Sequence, residues 1–575
     1  MTSAITVNPS PPQNGIIDVK EIPQVFLEIL QKKGIEGNDA ISRFLLPKLA
    51  DLPKPSIMAG MEEAVDLVVE YLVEGKRILI WGDYDVDGTT GTALLVNFFK
   101  KLGKEVDWHI PNRLNEGYGL NAEWFTRQKN NYLSDLLLIT VDCGISNGSV
   151  IEKFKEMGGK TIITDHHSLP KNSLPDCVIL NPSQKNCGFH REHLAGVGVA
   201  FYLAAGIRSR LLSIGNLSHD LRQLKLKYFL AFVALGTVAD VVKVSATNRI
   251  LVRGGFEAIK NSAFPGITAL LDSCDIHNGE IGSEDVGFLL GPLINAAGRI
   301  GDSETVVKLL TTEDAAEADI LTKKLVKLNL KRKSICSSDF KLALEKISKN
   351  LISEDKCIVV SGEIHQGIAG IVASRLVDMF MVPAIVFGAT KGDNGERLLV
   401  GSARSVEGVS VVEALDNTSG LLLKHGGHAM AAGATLAEDN FLEFGVKFKS
   451  FIRNLVKERP VRKTNAAVFA CEVDEMMSKK WLTFYELLEP FGPGNELPVF
   501  IDKNVSIVDS KRVGKEAEHL QVAVRGKYSN YKGIGFGLGE RRSEIQGTPR
   551  RELRYTPTKN RFRGRTSWQI KITDI

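Results

Sequence analysis

From about residue 60 to 245, short apolar runs alternate with amphipathic stretches. RILIW (77–81), LLLITVD (136–142), KTIITD (160–165) and CVILNP (177–182) read as buried strands. TTGTALLVNFFKKLG (89–103) reads as the helix after the first strand, closed by Gly103. This is βαβ grammar, which predicts a mainly parallel sheet. KYFLAFVALGTVADVV (227–242) is apolar nearly all round and predicts a buried helix. From about 304 to 347 the chain turns helical and charged, as a long connecting helix with a solvated face would.

A second α/β unit follows. CIVVSG (357–362) and PAIVF (383–387) are strands, IAGIVASRLVDMF (368–380) is a helix, and the unit closes near residue 455. The charged, proline-bearing NLVKERPVRKTN (454–465) reads as a linker. After it come short strand patterns with glycine turns: VFACEV, LPVFIDK, VSIVDS, HLQVAV, YKGIGFGL and SWQIKITDI. They predict a small barrel, with the OB-fold as the leading form. Residues 1–20 are polar and proline-rich, a loose arm. The expected architecture is therefore two α/β domains, 21–303 and 348–455, joined by a helix over 304–347 and followed by a β-barrel over 466–575.

Composition narrows this picture only a little. A chain of 575 residues is too long for one core. Lysine and arginine number 72 against 68 acidic residues, so bulk charge does not argue for nucleic acid and local charge must. The seven cysteines are scattered and never form a CxxC pair, which argues against a disulfide framework or a thiolate zinc site and for a reduced, cytoplasmic setting. MTSAITVNPSPPQNG lacks the charged and apolar regions of a signal peptide, and no apolar run is long enough to span a membrane.

The chemistry gathers where the strands end. WGDYDVDGTT (81–90) sets Asp83, Asp85 and Asp87 straight after the first strand. Ligands of α/β sheets bind at the carboxyl ends of strands. Alternation puts the three carboxylates on one side of an extended backbone, where they repel unless protonated or neutralised. Divalent metal would neutralise them, and Gly88 permits the tight turn that follows. TVDCG adds Asp142, TDHHS adds Asp165, His166 and His167, and TVADVV adds Asp240 from an apolar helix, where an unpaired carboxylate is costly. Carboxylates with imidazole suit Mn²⁺ or Mg²⁺. Each cluster has a bland reading. DxDxDG alone is often a calcium loop or a turn, although an EF-hand would need a glutamate where Leu94 and Leu95 stand. Four such clusters at strand ends are far more specific than any one.

Further along, GSARS (401–405) offers Ser402 and Arg404 in a glycine-led segment, and GGHAMAAG (426–433) would let His428 and the backbone approach a phosphate or simply make a tight strand turn. Asn295 and Arg299 in GPLINAAGRIGD look like a second phosphate clamp. Between Arg541 and Arg565 lie Arg542, Arg550, Arg551, Arg554, Lys559, Arg561 and Arg563, interleaved with Tyr555 and Phe562 and opposed by Glu544 and Glu552. On a barrel, such a stretch suits single-stranded nucleic acid; alone, it could be a solvated loop.

WGDYDVDGTT, TVDCG, ITDHH and GTVADVV resemble motifs I to IV of the DHH phosphoesterase superfamily. IPNRLNEGYGL, LAGVGVAF, GPLINAAGRIGD, HQGIAGIVASRLVD, GSARS, GGHAMAAG and EPFGPGNELPVF are similar to its single-strand-specific exonuclease branch, from about residue 20 onward. The resemblance implies a DHH domain, a DHH-associated domain and an OB-fold. It implies a two-metal nuclease that degrades single-stranded DNA from 5′ to 3′, releasing 5′ mononucleotides in repair and recombination. By motif position Asp85 and Asp142 hold one metal, with Asp83 at or near it. Asp87, Asp142, His166 and Asp240 hold the other. His167 contacts the scissile phosphate or supports a ligand, and Asp165 orients a histidine. Arg299, Ser402 and Arg404 select the 5′ end. Arg113 and Tyr118 guide the strand, with a core role for Tyr118 also open. His365 faces phosphate, although Ile364 before it departs from the commoner WHxG pattern. The implied partners are single-stranded DNA, a single-strand-binding protein and a helicase, with the chain acting as a monomer. Many members carry a further domain after the barrel, whereas this resemblance runs to ITDI (572–575). Two other readings stay open: a hydrolase of dinucleotides or short oligonucleotides, which would not need a basic barrel, and a replication scaffold, which would not need every ligand.

Overall fold

The computed structural model describes residues 17–128, 133–170, 173–190, 192–215, 224–277, 281–347, 352, 354–392, 395–458, 467–514, 516–545, 551–562 and 565–575. Three sheets organise it. The first holds β1 (Arg77–Gly82), β2 (Asp107–His109), β3 (Leu136–Val141), β4 (Lys160–Thr164) and β5 (Val178–Leu180) in the order β2-β1-β3-β4-β5, all parallel. Its central strand, LLLITV, is buried along its whole length, as a parallel strand covered on both faces must be. β1 runs into α1 (Val86–Lys101), and Asp85 caps that helix by accepting from Gly88 N at 3.1 Å. Against this sheet pack α2 (Gly196–Ser213) and α3 (Leu230–Ala239) in one core. The apolar run over 227–242 is thus shorter as a helix than its pattern suggests, and Asp240 sits at its C-terminal end rather than within it.

The charged stretch after residue 304 forms two helices, not one. A short helix, Glu304–Thr311, is followed by α5 (Ala315–Glu345), with α4 (Gly291–Ile300) before both. Asp314 accepts from Ala316 N and starts the long helix afresh, because Asp at that position is a strong N-cap. The second sheet joins β6 (Ile358–Gly362), β7 (Ala384–Lys391), β8 (Arg397–Arg404), β9 (Lys424–Gly427) and β10 (Ala431–Ala437) in the order β6-β7-β8-β10-β9. Only β6 and β7 are parallel; the rest are antiparallel. α6 (Gln366–Phe380) covers it.

The third sheet contains β11 (Val468–Ala470), β12 (Val499–Val513), β13 (His519–Arg525), β14 (Asn530–Gly535), β15 (Arg551–Phe562) and β16 (Arg565–Asp574). β12 pairs with both β13 and β15, and this closes a five-stranded barrel. LPVFIDK and VSIVDS fuse into the single long β12, and the basic stretch becomes β15. Arg550 and Arg563 lie outside the described residues.

The N-terminal region departs from the sequence reading. Residues 17–20 are not a loose arm, since Ile17 is buried, and the helices Gln24–Lys32 and Asn38–Leu45 do not join the first sheet's core. Ile22, Val25, Phe26, Ile29 and Leu30 share a core with the barrel's Phe500, Leu520 and Tyr555. Phe26 meets Trp481 edge-on at 5.7 Å. Arg249 ties the units together: its guanidinium donates to the carbonyls of Phe44, Leu487 and Leu488 at 2.6–2.8 Å.

Candidate metal and phosphate site

The loops at the carboxyl ends of β1, β3 and β4 meet the end of α3 beneath the second domain. A cavity of about 760 Å³ lies between them. Its floor carries Asp83, Asp85, His167 and Asp240, and Arg299 and Asn295 on α4 form a side wall. The facing wall is Ser374 and Asp378 on α6, with Arg404, Ser405 and Met430 from the ends of β8 and β10.

The floor is crowded with negative charge. Donor atoms of Asp83, Asp85 and Asp142 lie within 4.8 Å of one another, as do those of Asp87, His166 and Asp240, and those of Asp142, His166 and His167. His166 Nε2 is 3.1 Å from Asp142 Oδ1, 3.6 Å from Asp240 and 3.7 Å from Asp87. Burial, then Asp85, pushes the Asp83 carboxyl well above its usual range; burial, then Asp87, does so for Asp142. Asp87 rises to about 7 through burial and Asp85, although the amides of Val197 and Gly196 oppose this. Asp240 rises to about 9 through burial, Asp87 and Asp85. Oδ1 of Asp83 and Oδ1 of Asp142 are buried and accept no hydrogen bond. Such a group is costly to fold around unless cations join it.

Local structure holds these groups in place. Asp87 accepts from Gly196 N at 2.6 Å and Val197 N at 2.8 Å, the opening amides of α2. A Cβ on Gly196 would fall 2.6 Å from Asp142 Cβ, so only glycine lets that helix end come so close. Asp142 itself has φ 62°, in the left-handed region a non-glycine residue rarely adopts. Gly88 is equally constrained, since a Cβ there would lie 2.5 Å from the Asp83 backbone.

The two histidines divide. Burial and neighbouring His167, then His428, hold His166 at about 4, so it is a neutral donor at pH 7. Burial depresses His167 as well, but its Nδ1, 2.8 Å from Asp165 Oδ1, gains enough to raise it to about 9. For Asp165, burial opposes ionisation, and the His167 hydrogen bond and charge outweigh it, leaving its pKa low. Asp165 also accepts the amides of His166, His167 and Ile145, so it fixes the whole DHH turn.

Of the residues expected to meet phosphate, Arg113, Tyr118, Asn295, Arg299 and Arg404 line the cavity. Burial, then Arg113 and Arg404, lowers Arg299 to about 10, and Asp85 opposes this only in part. Tyr118 is no core residue: half-exposed, its hydroxyl lies 3.4 Å from His167 Nδ1. His428 stands in the β9–β10 turn and reaches His166 electrostatically across the gap. Ser402 lies within β8 and His365 caps α6 by accepting from Gly367 N at 3.1 Å; neither lines the cavity. Tyr84 was not singled out by the sequence reading, yet it lines the cavity with the Arg113 guanidinium over its ring at 5.1 Å. Its place inside DYDVD was the available signal.

Carboxylates at parallel-strand ends, with arginines beside them and one facing them from a second α/β domain, define a DHH-type phosphoesterase. The comparisons agree. Residues 77–237 match the DHH family N-terminal domain, 354–454 the DHHA1 domain and 471–574 the RecJ OB domain. The chain is 34% identical over 576 residues to the single-stranded-DNA-specific exonuclease RecJ of Escherichia coli K12, covering 96% of each. It is 32% identical to the Bacillus subtilis RecJ, covering 96% of this chain and 68% of that one. Thermus thermophilus RecJ in complex with Mn²⁺ superposes with a TM-score of 0.75 at 28% identity, over 97% of this chain and 78% of that one. The chain belongs to the RecJ family.

Proposed function

We propose that this chain hydrolyses single-stranded DNA from its 5′ end and releases 5′ mononucleotides, in DNA repair and recombination. The observation that carries this reading is a cavity whose floor gathers the carboxylates of Asp83, Asp85 and Asp240 and whose walls present the guanidiniums of Arg113, Arg299 and Arg404. Asp85 and Asp142, with Asp83 beside them, would hold one divalent ion, and Asp87, Asp142, His166 and Asp240 a second. The buried, hydrogen-bond-free oxygens of Asp83 and Asp142 fit that role. Mn²⁺ or Mg²⁺ bound there would supply an activated water and charge for the leaving oxygen.

The chain's own groups do the rest. Asp165 holds Nδ1 of His167, which leaves the protonated Nε2 to donate to an oxygen of the scissile phosphate. Arg299, Arg113 and Arg404 converge to receive a terminal phosphate and so orient the strand end. Tyr84 and Tyr118 present ring faces and edges to the first nucleotide. Ser402, His365 and His428 would act from just behind or across the cavity.

Single-stranded DNA is the partner this site and the barrel fit, and single-strand-binding protein and a helicase are the protein partners the family reading implies. We assign the chain to the cytoplasm, as a monomer; among the described residues no helix is long and apolar enough to cross a membrane. The test is product analysis. With Mn²⁺, a 5′-labelled single strand should release labelled mononucleotide at once, and a blunt duplex should not. Turnover confined to dinucleotides, with long strands untouched, would overturn the reading.

A further inference from the structure

Arg113 and Tyr118 reach the cavity from a loop that leaves β2 at His109 and rejoins the core at Leu120. Its tip is open: Leu114 is 47% exposed, so burial does little to order it. One carboxylate orders it instead. Glu116 Oε1 accepts the amide of Asn112 at 2.9 Å, and Glu116 Oε2 lies 2.9 Å from Nε2 of His109. The amide of Glu116 donates to the Asn112 carbonyl at 2.7 Å, so the backbone closes into a turn with Arg113 inside it. The anchor on the sheet is firm. The His109 ring packs against Trp81 at 4.4 Å and Trp124 at 5.0 Å, centroid to centroid. Just past the turn, Tyr118 stands between Gly117 and Gly119, whose φ of 82° and 81° lie in the left-handed region that glycine tolerates. Trp81 Nε1 donates to the Gly119 carbonyl at 3.3 Å. Glu116 and Trp81 thus bracket Tyr118, whose hydroxyl is 3.4 Å from His167 Nδ1 and 3.4 Å from the Asp142 carbonyl.

We propose that Glu116 is a positioning residue for recognition of the 5′ end: its carboxylate clasps the Asn112–Gly117 turn to β2 and so sets Arg113 against the terminal phosphate. This rests on the exonuclease reading above. Glu116 lies outside the residues that line the cavity, so it acts through the loop it holds. Its two oxygens have separate tasks, and the reach of the side chain decides whether both are met. Glutamine keeps that reach. Its carbonyl oxygen can accept from the Asn112 amide while its NH₂ donates to Nε2 of a neutral His109. Aspartate is one methylene shorter and can meet only one of the two.

The test compares strands carrying a 5′ phosphate with strands carrying a 5′ hydroxyl. Glu116→Asp should raise KM for the phosphorylated strand by about tenfold, with a far smaller change in kcat and little change in KM for the hydroxyl strand. Glu116→Gln should keep the wild-type preference. In an Arg113→Ala background, Glu116→Asp should shift the preference no further, because the group it positions is gone. A carboxylate that only stabilises the fold would act alike on both strands and in both backgrounds, and that result overturns the proposal. A Glu116→Gln protein as impaired as Glu116→Asp overturns it too. A second arm reads binding alone, by fluorescence anisotropy of a 5′-phosphorylated strand whose first linkage cannot be cleaved. Affinity about tenfold weaker in Glu116→Asp supports the clasp, and equal affinity in both proteins overturns it. Because this arm needs no turnover, a wild-type protein that binds the strand but cleaves none would sink the exonuclease reading and leave the clasp still measurable.

Discussion

Two regions of this molecule concentrate charge, and they use it in opposite ways. At the cleft, Asp83, Asp85, Asp87, Asp142 and Asp240 converge, and none forms an ion pair with lysine or arginine among the described residues. On the barrel, part of the basic stretch is spent. Lys559 reaches Glu486 at 2.7 Å, Arg541 reaches Asp574 at 2.5 Å, and Arg561 is buried against Asp285. Lys571 and Thr558 hold Glu284 in the same seam. The acidic cluster therefore stores unsatisfied charge for something that arrives later, and part of the basic one has been satisfied by folding. Charge density along a chain says little about function until the partners of each group are known.

The comparison can be broken first at Asp142, which touches both proposed metal groups. Asp142→Ala should lower cleavage by on the order of 10³-fold, while the metal-free protein melts at a higher temperature because one buried, repelled carboxylate is gone. Activity kept within tenfold would contradict its central place. On the barrel side the opposite holds. Asp285→Asn removes the carboxylate that faces Arg561 in a buried seam and should cost about 3 kcal/mol, read by denaturant unfolding. Burial outweighs Arg561 at Asp285, whose pKa is raised, so the pair is not a net stabiliser over an apolar one. Asp285→Asn with Arg561→Met should then recover most of the loss.

A smaller effect sharpens the side wall beside the carboxylates. Arg299→Ala should raise KM for 5′-phosphorylated strands by about ten- to a hundredfold and erase their advantage over 5′-hydroxyl strands. An unchanged preference would remove Arg299 from end recognition. The smallest effect is on pH. In chelator, Asp87 at about 7 and Asp240 at about 9 keep protons that the unfolded chain releases near pH 4. Their stabilisation is complete below the unfolded value and is lost as pH rises through the folded ones. His167, raised to about 9, acts in the same direction above 6.5. His166, depressed to about 4, acts oppositely and only below 6.5. The melting temperature in chelator should therefore fall from pH 6.5 to 9, and Mn²⁺ should flatten or reverse that slope.

Much of this was legible in the chain because it depends on local pattern. RILIW and LLLITV are strands because apolar runs of five or six residues bounded by polar turns are too short for a buried helix, and Asp85, Asp142 and His166 follow from where those strands end. Long-range packing was less legible. The amphipathic helix at Gln24–Lys32 matches any apolar surface, and only the fold shows that the barrel supplies it. The stretch that became β15 shows a strand's alternation weakly, and one of its cations, Arg561, turns inward to an acidic residue 276 positions away. Ser402 and His365 carry suitable chemistry, but a β-ladder and a helix cap place them outside the cavity. The π-helical turn Val286–Leu290, which exposes Phe288, has no sequence signature of its own.

The most direct test of the central claim is Mn²⁺ titration followed by electron paramagnetic resonance. Two ions sharing Asp142 should be spin-coupled: the six-line signal of free Mn²⁺ should stay suppressed until two equivalents have bound, and Asp142→Ala should lose that coupling. An uncoupled signal from a single bound ion, or none bound at all, would contradict the account of the carboxylate cluster as a paired metal centre.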